Sequence, residues 1–252
     1  MIRVIMHGCN GYMGQVITGL ARDEEDLEIV AGIDVVDNRD NGYPVYTCPA
    51  DCREEADVLI DFSNAKAADS LLAYCADRNL PVVLCTTGLS PEQLEKVKQT
   101  SEKIAVLRSA NMSLGVNILL KLVKEAAETL AQAGFDMEIV EKHHNRKLDA
   151  PSGTALALAD AAAEGASNGK YSYTYDRSAL HRKRDPKEIG ISSVRGGTIV
   201  GDHDVIFAGT DEVITLSHSA YSRAVFGKGA LAAARFLAGK PAGLYGMEDV
   251  IA

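Results

Sequence analysis

Arg3-Val4-Ile5-Met6-His7-Gly8-Cys9-Asn10-Gly11-Tyr12-Met13-Gly14 is the stretch whose reading decides the fold. Arg3 to Met6 is a short apolar run and reads as a buried strand. Glycines spaced G-x-x-G-x-x-G follow, and Val16, Ile17 and Leu20 then recur with helical period as far as Arg22. Strand, glycine turn, helix is the context in which a turn cradles a dinucleotide pyrophosphate. Glycines let the backbone approach, and the helix N-terminus favours the negative charge. Asn10 stands where a G-x-G-x-x-G pattern has its second glycine, and Asn tolerates left-handed backbone geometry better than most residues. A second strand, Glu28 to Ile33, ends in Asp34, where an acid meets the adenosine ribose hydroxyls. The competing reading is a plain βα turn followed by a strand-end aspartate.

The alternation continues outward. Strands are expected at 57–62, 81–85 and 104–107, with helices at 65–77 and from Ser90-Pro91-Glu92-Gln93 onward, where a cap, a proline and an acid open the helix. Repeated βα units predict a Rossmann-like, doubly wound parallel sheet, whose ligands bind at the carboxyl ends of the strands. Thr86-Thr87-Gly88 and Ala110-Asn111-Met112 are strand-end loops that either line such a cleft or are plain turns. After Ser113 the pattern changes. Val116, Leu119, Leu120, Val123, Ala127 and Leu130 form one face of a long helix. The strand Met137 to Glu141 follows, then strands at 191–194, 199–200, 205–208 and 213–216 with no long helix between them. They predict an open, mostly antiparallel or mixed sheet. Gly169 to Lys187 reads as an exposed excursion, its Arg182-Lys183-Arg184 triplet as solvated surface. Val225 to Leu237 is a final amphipathic helix followed by a short tail. The expected organisation is a dinucleotide-binding domain (1–113), an inserted α+β domain (114–223) and a return helix packing on the first domain (224–252).

Glu141 to Ala155, E-K-H-H-N-R-K-L-D-A-P-S-G-T-A, concentrates the chemistry. Histidine is tuned most easily to move protons near neutrality, lysine donates a proton or holds an anion, and a helix N-terminus binds anions. The stretch reads as a site that holds a carboxylate, with Gly153 and Thr154 presenting N–H groups, while a proton is delivered. Taken alone it is equally a solvated basic loop capping a helix. If the strand persists, His143 and His144 point to opposite faces, which argues against both binding one metal. His203 and His218 are expected to be structural. The 252 residues are 46% hydrophobic and 24% charged, with net charge −9, so nothing global favours nucleic acid or an anionic membrane. No apolar run approaches a membrane span. Five cysteines at irregular spacings read as reduced thiols of a cytoplasmic protein, and no metal site is expected.

The motifs G-x-x-G-x-M-G, T-T-G, A-N-x-S-x-G-V-N, E-x-H-H-x-x-K-x-D-A-P-S-G-T-A and V-R-x-G-x-I-V-G-x-H span nearly the whole chain. By them the chain resembles the dihydrodipicolinate reductase family of the diaminopimelate–lysine pathway. The resemblance implies reduction of a cyclic, unsaturated dicarboxylate by NADH or NADPH, and an insertion whose sheet builds a homotetramer. It implies cofactor contacts from Gly8, Cys9, Asn10, Gly11, Tyr12, Met13, Asp34, Cys85, Thr86, Thr87, Ser109, Ala110, Asn111, Met112 and Arg223. It makes His143 the catalytic histidine, Lys147 the proton donor, and His144, Gly153 and Thr154 substrate contacts. The chain departs from the family at Val35, Asn64, Met112 and Cys85. With no cation directly after Asp34, NADH is expected to be used at least as well as NADPH, Arg39 being the residue able to alter that. Two competing readings are another two-domain dehydrogenase, such as an aspartate dehydrogenase-like enzyme, and a non-catalytic dinucleotide sensor. D-A-P-S-G-T-A does not fit the first, and the second has no use for His143, His144 and Lys147 together.

Overall fold

The computed structural model describes all 252 residues, which form two compact units. The first comprises Met1–Leu114 and Arg223–Ala252, the second Gly115–Ser222. The boundary thus assigns Arg223 to the first unit.

The first unit is built on seven parallel strands: β1 (Ile2–His7), β2 (Leu27–Ile33), β3 (Val45–Tyr46), β4 (Val58–Asp61), β5 (Val82–Leu84), β6 (Ala105–Arg108) and, from the other end of the chain, β12 (Gly243–Tyr245). Their order is β12-β6-β5-β4-β1-β2-β3. The chain runs outward from β1 to β3 and then back across to β4, so a crevice opens at the carboxyl ends of β1 and β4. Val4, Ile5 and Met6 are all fully buried because helices cover both faces. Val4 and Met6 point into one core with Ile17 of α1 (Tyr12–Ala21) and with Ala230, Leu231, Ala234 and Leu237 of α6 (Ala224–Leu237). Ile5 points into the other, with Leu71 and Leu72 of α2 (Ala68–Asp77) and Val97 of α3 (Pro91–Ser101). The expected cap opens α3, and it is a full capping box: Ser90 Oγ accepts the Gln93 N–H and Gln93 Oε1 accepts the Ser90 N–H. A 3-10 turn at Ala65–Ala67, capped by the Asn64 side chain, precedes α2. The expected tail after α6 instead contains β12, which pairs with β6, and a last short helix, α7 (Met247–Val250). Three residues are too few for alternation to reveal a strand.

The second unit holds a five-stranded sheet in the order β11-β10-β7-β9-β8. Its members are β7 (Asp136–His143), β8 (Ser172–Thr174), β9 (Glu188–Arg195), β10 (Gly201–Ala208) and β11 (Val213–Ala220). The sheet is mixed: β7–β9 and β8–β9 are parallel, β7–β10 and β10–β11 antiparallel. Along β7 every second residue is buried, which turns Met137, Ile139, Glu141 and His143 to one face. There Met137 and Ile139 pack with Leu119, Val123 and Ala127 of α4 (Leu114–Leu130) and Leu158 and Ala162 of α5 (Gly153–Gly165). Small residues let α4 and α5 approach closely: a Cβ on Gly165 would lie 2.1 Å from the Lys124 carbonyl oxygen.

Two expectations fail here. Residues 199–200 are not a strand, because the chain turns at Gly197-Thr198 and β10 begins only at Gly201. The basic triplet is not merely solvated either. Arg184 donates to Asp136 (2.7 Å), Glu138 (2.9 Å) and the carbonyls of Met137 and Glu188, while Arg177 and Arg182 pair with the buried Glu188. The buried carboxylate requires these partners, and they hold against the sheet an excursion that itself contributes the edge strand β8.

Candidate active site

Gly8 follows β1 with φ +81°, and a Cβ on it would lie 2.6 Å from the Phe62 carbonyl oxygen. A Cβ on Gly14 would lie 2.2 Å from the Gly8 carbonyl oxygen. The turn is therefore closed by glycine-only contacts, and it feeds α1, whose first residue is Tyr12. Gly11 caps that helix without any side-chain hydrogen bond, and the first turn carries no acid. The N–H groups there are left for an anion. Gly8, not Asn10, is the left-handed residue. Asn10 instead spends its side chain on the loop, donating to the Val36 carbonyl (2.6 Å) and accepting from Asn41 (2.8 Å). The Asp34 carboxylate accepts the N–H of Asn10 at 2.8 Å and of Val35 at 2.7 Å, which fixes the acid to the glycine turn.

A cavity of about 350 Å³ lies against Gly8, Gly11, Asp34, Arg39, Phe62 and Ser63. Ser63 Oγ is buried in its wall without a partner. An unpaired polar atom, glycine-only contacts, an uncapped helix start and an anchored acid together fit a dinucleotide. Among the other expected contacts, Thr87 and Ala110 are exposed, Ser109 and Asn111 half-buried. Ser109 Oγ donates to the Asn111 carbonyl and accepts its N–H, folding the loop on itself. Arg223 lies 4.9 Å over the Tyr12 ring, beside the glycine turn. The side chains of Cys9, Cys85 and Met112 are buried, leaving only their backbones for a ligand. Burial pushes the Cys9 thiol up to about 12 and the Cys85 thiol well above its usual value, so neither is an available thiolate. Beneath this edge Asp61, wholly buried, accepts from His7 Nδ1 (2.7 Å) and Thr86 Oγ1 (2.6 Å) and ties β1, β4 and β5 together.

In the second unit β7 ends at His143, so His144 lies one residue past the strand and the premise for opposed faces is not met. His143 is buried with Nδ1 2.5 Å from Glu141 Oε2, and its ring meets the His203 ring edge-on with centroids 5.2 Å apart. His144 Nδ1 is buried without a partner. The loop then carries Lys147, whose Nζ lies 2.9 Å from Asp149, and crosses a cis Ala150–Pro151 bond to Ser152. Ser152 caps α5 by accepting the Ala155 N–H at 3.1 Å and lies 3.0 Å from His203 Nε2. Gly153 and Thr154 are the first two residues of α5, at the end where N–H groups accumulate positive potential. Burial lowers His143, which the Glu141 carboxylate only partly offsets, and burial with the His143 charge lowers His203 to about 4. For Glu141 burial pushes upward, but hydrogen bonds from Arg195, Ser193 and His143 outweigh it and hold the carboxylate at about 2. The site therefore presents an ionised acid, histidines inclined to stay neutral, and a lysine.

Glu141, Ser152 and Arg195 stand in the quoted motifs but carry no role in the sequence reading, and His203 is expected there to be structural; the geometry gathers all four around His143. The E-x-H spacing, which turns both residues to one strand face, was the available signal for Glu141. Arg195 and His203 come to the site only through the pairing of β9 and β10 with β7.

Residues 2–112 match the family model described as dihydrodipicolinate reductase, N-terminus, and residues 115–251 the one described as dihydrodipicolinate reductase, C-terminus. The 4-hydroxy-tetrahydrodipicolinate reductase of Caldanaerobacter subterraneus is 56% identical over 251 residues, covering 100% of this chain and 98% of that protein. Its namesake in Clostridium tetani is 48% identical, with 100% and 97% covered. Dipicolinate-bound dihydrodipicolinate reductase from Paenisporosarcina sp. TG-14 superposes with a TM-score of 0.84 at 28% identity, covering 99% of both chains.

Proposed function

The chain belongs to the dihydrodipicolinate reductase family, and from that premise we propose how its residues divide the reaction. The protein is a pyridine-nucleotide-dependent oxidoreductase that reduces 4-hydroxy-tetrahydrodipicolinate to tetrahydrodipicolinate, the 4-hydroxyl leaving as water before hydride and proton add to the ring, a step of diaminopimelate and lysine biosynthesis. The nicotinamide, when bound, supplies the hydride. This chain holds the dicarboxylate and delivers the proton. Gly153 and Thr154 at the start of α5, with His144, bind carboxylate oxygens through N–H donors and helix polarity. Lys147 gives its proton to the reduced ring, and His143, one loop away, is its acid/base partner. The observation that carries this reading is the junction of β7 with α5, where a histidine, a lysine and a capped helix start converge within one short segment.

Gly8 to Met13, Asp34, the loops Cys85–Thr87 and Ser109–Met112, and Arg223 hold the dinucleotide. NADH serves at least as well as NADPH. Asp34 is anchored at the ribose end with Val35 beside it, and a 2′-phosphate would meet its charge with no directly adjacent cation. Arg39, lining the same cavity, is the group that would reverse this. The enzyme works as a cytoplasmic homotetramer. Its five cysteines are all unpaired thiols, and no helix is long and apolar enough to cross a membrane.

Oxidation of NADH and NADPH, with substrate made in situ by the preceding synthase from pyruvate and aspartate semialdehyde, tests the assignment. Substrate-dependent oxidation is expected, with kcat falling by about 10²–10⁴-fold in Lys147→Ala. Undiminished turnover in that variant removes Lys147 from the proton step. A kcat/KM for NADPH about tenfold above that for NADH, some 1.4 kcal/mol, overturns the cofactor preference.

A further inference from the structure

Arg195 and Glu141 stand 54 residues apart in sequence and meet across the pairing of β9 with β7. Glu141 is wholly buried, and its two oxygens reach both halves of the site. Oε2 accepts from His143 Nδ1 at 2.5 Å, and Oε1 accepts the N–H of Ser152, the cap of α5, at 3.1 Å. The Arg195 guanidinium closes on the same carboxylate, Nη2 to Oε1 at 2.7 Å and Nη1 to Oε2 at 2.8 Å. Its other Nη hydrogens go to the carbonyls of Val194 (2.8 Å) and Asp149 (2.6 Å). One ion pair thus touches the histidine, the helix cap and the loop bearing Lys147. Across the ring from Glu141, His143 Nε2 faces Gly201, where any Cβ would lie 3.0 Å from it.

We propose that Arg195 and Glu141 are the positioning pair of this site, holding His143 as its Nδ1–H tautomer and fixing that ring in register with the N-terminus of α5. The inference rests on His143 being the acid/base partner in the reduction. Neither residue touches reacting atoms; both act through His143 and α5. An imidazole carries its proton on the nitrogen that faces an acceptor. An ionised carboxylate has no proton to give, so Nδ1 must donate and Nε2 keeps the lone pair. The planar guanidinium fork prevents the carboxylate from rotating or leaving its plane. A glutamine at 141 presents both N–H₂ and C=O, and so dictates neither tautomer.

Long-range ¹H–¹⁵N NMR of protein labelled at its histidines reads the tautomer directly, with His143→Asn assigning the signal and circular dichroism checking the fold. Wild type is expected to show the Nδ1–H form near neutral pH. In Glu141→Gln the Nε2–H form is expected to appear, with kcat lower by about a hundredfold or more, as where a triad histidine loses its carboxylate. Arg195→Lys keeps the charge but loses the second prong and the Asp149 carbonyl. It is expected to retain the tautomer while KM rises about tenfold and kcat changes less than about threefold. An unshifted tautomer in folded Glu141→Gln overturns the positioning role, whatever the rate. A shifted tautomer with undiminished kcat upholds that role and instead removes His143 from the chemistry. Should Glu141→Gln fail to fold, Arg195→Lys decides: an unchanged KM overturns the proposal.

Discussion

A methyl group at residue 14 would have to enter space already held by the Gly8 carbonyl oxygen, 2.2 Å away, and by Cys9 backbone atoms at 2.6 Å. Those neighbours are main chain and cannot swing aside. Gly14→Ala is therefore expected to lower the unfolding free energy by at least about 2 kcal/mol and to abolish NADH binding. A urea midpoint and a fluorescence titration check it; an unshifted midpoint refutes it. Glycine announces this requirement in the sequence because no other residue meets it. Asn10 shows the converse: a residue able to adopt left-handed geometry need not do so, and here the positive φ falls on Gly8 while Asn10 serves through its side chain. Glu141 was quieter still. An acid in a strand is ordinary, and only the three-dimensional register that brings Arg195 to it separates a buried hub from a solvated one.

Elements with strong local signals were legible. The buried apolar run of β1, the cap of α3 and the amphipathic face of α4 all encode their own ends or faces within a few residues. β3 and β12 did not, since strands of two or three residues exist only because a longer neighbour offers them hydrogen bonds. The loop at 199–200 misled because its isoleucine and valine carry strand propensity that a glycine turn overrides. β11 is the edge of its sheet, eight residues long, with Val213 and Ile214 exposed. Such an edge invites another chain unless blunted by charge. In the proposed tetramer it is covered. Light scattering is expected to give four chains for the wild type and fewer for Val213→Lys/Ile214→Lys. A double variant that stays tetrameric, or a monomeric wild type, refutes this.

Over the whole molecule, buried histidines set how stability responds to acid. His203 is held at about 4 when folded, against about 6.5 when unfolded. Above pH 6.5 it is neutral in both states. Between about pH 6.5 and 4 the unfolded chain takes up the proton first, so stability falls as pH falls, by on the order of 3 kcal/mol from this residue. His143 and His218, also lowered by burial, act in the same direction. A second loss follows as pH drops from about 4.3 toward 2, where the Glu141 carboxylate is protonated in the unfolded chain before the folded one. Urea midpoints measured from pH 8 to 3 should fall steadily below 6.5, and His203→Asn should flatten the upper part of that fall. A flat wild-type profile between pH 6.5 and 4 contradicts the burial argument.

The first unit is drawn from both ends of the chain, and that has a consequence for synthesis. A ribosome releases residues 115–222 while the first sheet still lacks β12 and the whole of α6. Ala230, Leu231, Ala234 and Leu237 close the same apolar core that holds Met6, Cys9 and Ile17. The nascent glycine turn therefore waits, half-supported, until the last thirty or so residues emerge, while the second unit, continuous in sequence, has all its strands in hand. A stalled or prematurely stopped chain would carry the segment proposed to deliver the proton and leave the proposed nucleotide pocket unfinished. Damage near the carboxyl terminus is felt at residue 8.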